Sequence, residues 1–375
     1  MTYIHPARSI PFEELFNSLE LLKEAKLIDS RDAGPLRQYT YSRQCVFDRV
    51  WNDISLLARG LILNPRDKKV VATPFVKFFN LGEGTEPIPN EKFHTYEKVD
   101  GSLIIAFHDG NYWTCATKGS FTSDQAYWAM KKLSDYGVQK LDIGTTYLFE
   151  AVYSANKIVV SYSYEDLVLL GAYDPNGIEY TYDRLFITAE RIGCRIMRRY
   201  EFDDPATMVD YAGMMTKDEE GFVLHWSNGH RLKVKGVEYL KIHRAISGLT
   251  PLEVWRRMRD GENMETYRKH LPEELWSEFD QIEAALLDKY VEINTKAKDA
   301  VYAWRHISDK ELGLRLQTID LSVAKLIFPM RRGKDVTIDE RLRHTIYDLF
   351  RPTGNHLDGY TQSDKLSIIQ EDFNG

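Results

Sequence analysis

Apolar and polar positions in the first 244 residues form short runs that are separated by turn-forming residues. The apolar runs Leu103–Phe107 and Leu167–Tyr173 are followed by Asp-Gly-Asn and Asp-Pro-Asn-Gly sequences. Short apolar runs bounded by such residues are typical of strands joined by tight turns. The pattern therefore predicts an antiparallel sheet, with further strands at Tyr112–Thr117, Tyr147–Val152 and Lys157–Tyr162.

Two stretches in this part have a helical pattern instead. Ser123–Tyr136 starts beside two residues that can cap a helix N-terminus, Thr122 and Ser123. Asp183–Ile192 is followed by Gly193, a residue type favoured just after a helix C-terminus. We therefore expect two helices to interrupt the sheet, which makes this part of the chain α+β.

The pattern becomes helical from Pro251 onward. Apolar residues recur there at three- and four-residue steps, with charged residues between them. The recurring positions are Trp255, Met258, Leu271, Leu275, Phe279, Ile282, Leu286 and Tyr290. The sequence thus predicts an α+β domain with antiparallel sheets over residues 1–244, followed by an all-α domain over residues 245–375.

The composition narrows the class of protein without identifying it. With 375 residues, 43% of them hydrophobic, the chain is long enough for two domains. No run approaches the ~18 apolar residues of a membrane span, and the N-terminus lacks a signal-peptide pattern, so we expect a cytoplasmic protein without a membrane partner. Cys45, Cys115 and Cys194 lack metal-ligand spacing and are expected to be reduced. The net charge of −7 still permits a local basic groove.

Lys98 is the first candidate for chemistry. It ends a short polar strand and precedes an Asp100-Gly101 turn and an apolar strand. A lysine that is kept from water or placed beside other cations can lose its proton near neutral pH and attack a phosphate. A surface lysine before a turn is the alternative, since Asp-Gly turns are common.

Lys233 and Lys235 are the second candidates. Strand alternation puts both on one face, while Leu232 and Val234 take the other. Two ammonium groups directed at an α-phosphate would stabilise the charge that develops as pyrophosphate leaves. A solvated strand face is the alternative.

Arg59 and Lys77 suggest contacts to phosphate. Arg59 lies in a strongly apolar run, where an arginine needs a ligand phosphate, a carboxylate or a route to the surface. Lys77 precedes Phe78-Phe79-Asn80, and an aromatic beside a lysine suits a purine platform with a phosphate contact. A core aromatic pair is equally consistent with Phe79.

Glu150 and Glu220 are carboxylates on otherwise apolar strands. Each needs a partner there, which could be a cation, a metal-bound water, a sugar hydroxyl or a bridging Arg or Lys. Lys118 lies in a small polar turn, and the residues alone indicate an exposed side chain.

Seven short motifs together resemble the covalent nucleotidyltransferase superfamily, in particular the ATP-dependent RNA ligase 1 family of bacteriophages. The resemblance runs from about Tyr41 to Tyr239, with Val99 and Thr117 as departures from the family pattern. The motifs are Ala58–Leu61, Pro74–Asn80, Tyr96–Ser102, Thr117–Ser120, Phe149–Val152, Glu220–Leu224 and Leu232–Lys235.

The resemblance implies an ATP-dependent RNA ligase in which Lys98 is the AMP-lysine nucleophile and Lys233 and Lys235 are catalytic. It implies Mg²⁺ or Mn²⁺, with Glu220 and Glu150 at the metal. It also implies a monomer in the infected host cytoplasm that joins RNA 3′-OH and 5′-phosphate ends, such as those of a nicked tRNA. The nucleotide-binding residues would be Tyr41, Arg59, Lys77, Phe79, Glu97, Gly101, Lys118, Glu150 and Tyr239.

The helical part would then determine RNA specificity, with a basic cluster formed by Arg331, Arg332, Lys334, Arg341 and Arg343 as the candidate surface. Charged helix faces are also often simply solvated. Two other functions stay open: another nucleotidyltransferase, such as a DNA ligase or capping enzyme, or a non-catalytic RNA end-binding protein. The helical pattern after Lys235, in place of a β-rich OB-type segment, disfavours the first.

Overall fold

A computed structural model describes residues 3–83, 88–271, 275–315, 321–353 and 356–361. The chain forms two compact units, and the boundary between them lies between His243 and Arg244. Among the described helices, none is long and apolar enough to cross a membrane.

The first unit is built on three sheets. The strands, in chain order, are β1 (Ile28–Ala33), β2 (Leu36–Tyr41), β3 (Arg59–Asn64), β4 (Lys69–Ala72), β5 (Phe79–Asn80), β6 (Phe93–Lys98), β7 (Ser102–His108), β8 (Trp113–Ala116), β9 (Thr146–Val152), β10 (Asp166–Tyr173), β11 (Arg195–Ile196), β12 (Arg199–Tyr200), β13 (Gly221–Trp226) and β14 (Arg231–Lys235). Sheet A has the order β1-β2-β3-β4, sheet B the order β11-β10-β9-β7-β8, and sheet C the order β12-β6-β13-β14-β5. Pairing is antiparallel except for β10 with β11 and β14 with β5.

Helices pack around these sheets. They are α1 (Pro6–Ser9), α2 (Phe12–Glu24), α3 (Arg43–Phe47), α4 (Asp53–Leu57), α5 (Asp124–Tyr136), α6 (Tyr182–Ile192) and α7 (Pro205–Met214), with 3₁₀ turns at Val138–Lys140 and Ser154–Asn156. The boundary between the two units falls within the next helix, α8 (Val237–Gly248). The two predicted helices are confirmed: Ser123 caps α5, and Gly193 ends α6 with φ +83°. Their buried faces pack on sheet B.

Three buried clusters hold the sheets in place. Ile62 of sheet A packs with Ile105 and Leu148 of sheet B. Tyr96 of sheet C joins the core of sheet B, and α7 covers the other face of sheet C around Phe222. The strand ends of sheet C are therefore fixed from both faces.

One predicted strand is wrong. Residues 157–162 have no strand structure and instead pass alongside the turn that follows β6. The amides of Val159 and Val160 donate to Asp100 Oδ2 at 2.9 and 2.8 Å. Because a carboxylate accepts these bonds, the apolar run needs no neighbouring strand to satisfy its backbone.

The second unit is helical in the residues described. Its helices are α9 (Pro251–Asp260), α10 (Met264–His270), α11 (Trp276–Ala303), α12 (Asp309–Arg315), α13 (Leu321–Arg331) and α14 (Glu340–Asp348). The periodic apolar residues point inward as expected, among them Trp255, Phe279 and Ile282, which are buried.

Candidate active site

Lys98 and Lys235 converge on one buried carboxylate, that of Glu220. Lys98 ends β6, Lys235 ends β14, and both lie opposite Gly221 of the central strand β13. Lys98 Nζ is 2.7 Å from Glu220 Oε2, and Lys235 Nζ is 3.0 Å from Glu220 Oε1. Only 2% of the Glu220 side chain is exposed. The three strand ends therefore place two ammonium groups around one anion.

The two lysines keep Glu220 charged. Burial alone would raise its pKa, but the charges and hydrogen bonds of Lys98 and Lys235 outweigh burial and lower the pKa to about 2. Glu220 is therefore a buried anion that Lys98 and Lys235 share.

Lys233 links this pair to a wider group of positive charges. Its pKa lies well below the usual lysine value, first because the ammonium is buried and then because Lys77, Lys235, Lys98 and Arg59 repel it. We refer to these five side chains as the cationic cluster. The members of the cationic cluster come from four separate segments of the chain, and their positive charges interact with one another.

Lys77 and Lys118 both lie against the ring of Tyr41. The distance from Nζ to the ring centroid is 5.1 Å for Lys77 and 5.9 Å for Lys118. Lys77 Nζ is also 5.6 Å from the Phe79 centroid. Burial lowers the pKa of Lys77, and the charges of Arg59 and Lys118 lower it further, against an opposing effect of Tyr41. The predicted residues of this region are therefore close to one another.

Arg59 has the features of an anion ligand. Its guanidinium carbon is 5.2 Å from the Phe78 ring centroid, and its Nη1 is buried with no hydrogen-bond partner among the described residues. A buried N–H group without an acceptor is costly, so this atom suits a ligand oxygen. Gly60, at φ +98°, allows the strand to approach Lys118 closely, because a Cβ there would lie 3.0 Å from Lys118 Cα.

Gly101 allows Glu150 to approach the turn after Lys98. A Cβ at Gly101 would lie 2.5 Å from the carbonyl oxygen of Ala151 and 3.0 Å from Cγ of Glu150. Glu150 is buried on β9. The structure therefore places Glu150 directly beside the backbone of the turn that follows Lys98.

Tyr239 is connected to the same turn through Asp100. Tyr239 Oη donates to Asp100 Oδ1 at 2.9 Å, while the second carboxylate oxygen accepts the two backbone amides of the 157–162 segment. Burial, followed by the charge of Glu220, raises the pKa of Asp100 to about 6. The ring of His243 stacks on that of Tyr239 at 5.6 Å between centroids.

Glu97 contacts an arginine that is not a member of the cationic cluster. Its Oε2 is 3.9 Å from Arg198 Nε, and both residues line a polar cavity of about 440 Å³ together with Tyr164, Tyr200 and Lys98. Alternation along β6 gives Glu97 and Lys98 opposite faces of the strand. The structure therefore places Glu97 beside Arg198 instead of within the cationic cluster.

The basic residues of the second unit do not form one open patch. Arg331 donates to the carbonyl oxygens of Trp304 and Ile307. Lys334 Nζ is 2.6 Å from Asp339 Oδ2. Arg343 Nε likewise donates to a backbone carbonyl, at 2.9 Å. Arg332 and Arg341 are exposed, and their guanidinium groups make no such bonds within the part of the chain that the structure describes.

A comparison with known proteins finds a protein family that is similar to the segment carrying these residues. Residues 57–240 match the family model described as RNA ligase. This segment is therefore similar to phage-type RNA ligases. The match includes Arg59, Lys98, Glu220 and Tyr239, and it confirms the resemblance drawn from the motifs.

Two relatives of this segment are viral. A protein of Autographa californica nuclear polyhedrosis virus, named a bifunctional polynucleotide kinase/RNA ligase, is 29% identical over 219 residues, which are 50% of this chain and 30% of the relative. The RNA ligase of Rhodothermus phage RM378 is 25% identical over 205 residues, 43% of this chain and 46% of the relative. The chain thus spans less than half the length of either. Among solved structures, an archaeal ATP-dependent RNA ligase is 13% identical with a TM-score of 0.46, covering 76% of this chain and 83% of that one.

Residues 57–240 offer few protein ligands for a divalent metal ion. Mg²⁺ uses one or two carboxylates and completes its shell with water and phosphate oxygens. Within the described ranges, no group of three His, Cys, Asp or Glu side chains could hold a metal. Both oxygens of Glu220 contact lysine ammoniums, so Glu220 does not fit as a ligand in this arrangement. Metal binding by Glu150 stays a prediction.

Sequence analysis missed two residues of the site. The sequence marks Asp100 only as a turn residue, although its carboxylate connects the turn, the 157–162 segment and Tyr239. No sequence motif contains Trp51, although its ring contacts those of Tyr41 and Phe79. No local pattern marks either role, because both depend on contacts between distant segments.

Proposed function

We propose that the chain is an ATP-dependent RNA ligase that joins RNA 3′-OH and 5′-phosphate ends. One observation carries the proposal: a lysine followed by an Asp-Gly turn shares a buried carboxylate with a second lysine, within the cationic cluster. Such an arrangement suits in-line substitution at phosphorus, which requires positioning and positive charge more than an acid–base pair.

The reaction would proceed in three substitutions. The Nζ lone pair of Lys98 forms a bond to the α-phosphorus of ATP, the bond to the bridging oxygen breaks, and pyrophosphate leaves. An oxygen of the RNA 5′-phosphate then attacks the AMP phosphorus and releases the lysine. Finally the RNA 3′-oxygen attacks the adenylated 5′-phosphate, and AMP leaves with the electron pair of the broken bond.

The remaining residues receive roles in this scheme. Lys233 and Lys235 stabilise the charge that develops at the α-phosphate, while Arg59, Lys77 and Lys118 bind the other phosphates. Glu150 and Gly101 lie where the nucleoside would meet the nucleophile turn. Tyr41 and Phe79 support the lysines, and Tyr239 holds the turn through Asp100. Mg²⁺ or Mn²⁺ would enter with the ATP phosphates.

We further propose that the first unit is the adenylation domain and that the second recognises the RNA, for which a nicked tRNA is one candidate. The protein would act as a monomer in the cytoplasm of an infected cell. The assignment of adenylation to the first unit is supported by the match of residues 57–240, which lie within that unit, to an RNA ligase family model.

Incubation with labelled ATP, followed by denaturing electrophoresis, tests the proposal. We expect a covalent AMP adduct with the wild type and with Lys241→Ala, an exposed lysine paired with Glu238, and none with Lys98→Ala. Joining of a 5′-phosphorylated RNA, but not of a nicked DNA, separates an RNA ligase from a DNA ligase. RNA binding without any adduct would indicate a non-catalytic end-binding protein.

A further inference from the structure

Trp51 occupies a fixed position beside two residues of the site. It precedes Asn52, whose side chain caps α4 by accepting the amides of Ile54 and Ser55. The Trp51 ring meets that of Tyr41 edge-on, with centroids 5.2 Å apart and an angle of 82°. The cap at the start of α4 therefore holds the indole against the end of β2.

The same ring contacts Phe79 and Lys77. The centroids of Trp51 and Phe79 are 5.6 Å apart at 76°, and Lys77 Nζ is 5.4 Å from the Trp51 centroid. The Lys77 backbone amide also donates to Leu56 O, in α4, at 2.8 Å. One short helix thus positions both the indole and the backbone of the lysine.

Three rings consequently surround one ammonium group. We name Tyr41, Trp51 and Phe79 the aromatic cage; their centroids lie 5.1, 5.4 and 5.6 Å from Lys77 Nζ. Ammonium groups within about 6 Å of an aromatic centroid are attracted by the ring quadrupole. Within the cage, Tyr41 opposes the effect that the charges of Arg59 and Lys118 have on Lys77.

We propose that Trp51 is a positioning residue that, with the rest of the aromatic cage, holds the Lys77 ammonium in place for the pyrophosphate portion of ATP. The inference rests on the proposed function, because that function supplies the polyphosphate. Without the indole, the lysine keeps its charge but loses one of the three surfaces that fix its direction.

The aromatic cage should affect only those steps of the reaction in which pyrophosphate takes part. Pyrophosphate is present only in the first substitution and in its reversal. Sealing of an RNA that already carries a 5′-adenylate involves no polyphosphate. Loss of Trp51 should therefore impair ATP and pyrophosphate binding while leaving the sealing of pre-adenylated RNA unchanged. A merely structural role would affect all of these activities together.

The experiment compares Trp51→Leu, Trp51→Phe and the wild type. For Trp51→Leu we expect the Kd for inorganic pyrophosphate, measured by calorimetry, and the KM for ATP in adenylation to rise about 5- to 20-fold. Trp51→Phe retains a smaller ring, so both the Kd and the KM should rise about 2- to 3-fold. Sealing of pre-adenylated RNA should stay at the wild-type rate in both variants.

The control is Trp128→Leu, which removes another half-buried indole, one stacked 4.3 Å from Tyr153, and should change none of these values. Wild-type pyrophosphate affinity in Trp51→Leu, or an equal loss in all three assays, would overturn the inference. If Trp51→Leu fails to fold by circular dichroism, Trp51→Phe decides, and an unchanged Kd refutes the inference. A wild type that binds pyrophosphate without forming the AMP adduct refutes the proposed function instead.

Discussion

The ammonium of Lys98 donates a 2.7 Å hydrogen bond to Oε2 of Glu220, a residue 122 positions later in the chain. The carboxylate is almost fully buried, and a buried charge is tolerated only when its pairing offsets the cost of desolvation. The relationship therefore links the stability of sheet C to the protonation state of the candidate active site.

Glu220→Gln should remove a pH-dependent part of the unfolding free energy. The pKa of Glu220 falls from 4.5 to about 2 on folding. At about 1.4 kcal/mol per pKa unit this corresponds to roughly 3 kcal/mol of stability, which is present above the unfolded-state pKa and is lost as the pH falls through the folded-state value. Urea titrations should show the advantage of the wild type over the variant shrinking from about pH 5 to pH 3. A difference that does not change with pH would contradict the ion-pair assignment.

Asp100→Asn should show the opposite dependence. Burial raises the pKa of Asp100 from 3.8 to about 6, so its contribution is present below the unfolded-state pKa and is lost as the pH rises through the folded-state value. The wild type should therefore lose stability relative to Asp100→Asn between about pH 4 and pH 7, in the same urea titrations. Because the two carboxylates predict slopes of opposite sign, each variant is a control for the other. Slopes of the same sign would show that one assignment is wrong.

Substitution of either lysine of β14 should impair adenylation. Lys233→Ala and Lys235→Ala each remove a cation from the point where charge develops, and we expect each to slow formation of the AMP adduct by about 10²-fold or more. The rate of adduct formation at saturating ATP measures this effect. Lys241→Ala is the matched control, because this lysine is exposed and pairs with Glu238 at 2.6 Å. If both β14 variants show near-normal rates and normal circular dichroism, Lys233 and Lys235 have no role in adenylation and belong to a solvated strand face.

The sequence predicted the strands of the site better than the contacts between them. Alternation along Arg231–Lys235 correctly put two lysines on one face, and the apolar surroundings of Glu220 correctly indicated that it needs a partner, with a bridging lysine as one of several alternatives. Local pattern alone could not show that the partner is Lys98, because strand order depends on the whole sheet. The local pattern also predicted a strand at 157–162, which is wrong. The amides of this apolar run donate to Asp100, a carboxylate in a distant turn, and not to a neighbouring strand.

Gly101→Ala should disrupt the turn that follows Lys98. A Cβ would lie 2.5 Å from Ala151 O on the neighbouring strand, so backbone has to move and Lys98 moves with it. We expect a loss of about 1–3 kcal/mol in unfolding free energy together with slower adduct formation. Gly119→Ala is the matched control, because a Cβ there meets only Thr40 Cγ2, at 3.9 Å. Equal stability of the two variants in urea would contradict the close approach of the turn to β9.

Arg331→Ala should destabilise the second unit instead of weakening RNA binding specifically. The guanidinium of Arg331 donates to the carbonyl oxygens of Trp304 and Ile307, just after α11, and its Nε is 3.5 Å from Asp309 Oδ1. Loss of bonds from a charged donor to partly buried carbonyls costs about 1–3 kcal/mol, and urea unfolding should detect it.

The exposed pair Arg332 and Arg341 provides the contrast. If the second unit meets RNA phosphates there, changing both to Ala should lower the slope of log K against log salt by roughly 0.7 per lost contact, because fewer counterions are released. The AMP adduct should form normally, since the adenylation residues lie in the first unit. The two assignments would be reversed if Arg331→Ala changed the salt slope without loss of stability while the double variant of Arg332 and Arg341 left the slope unchanged. Unchanged slopes in every variant would remove this part of α13 and α14 from the RNA-binding surface.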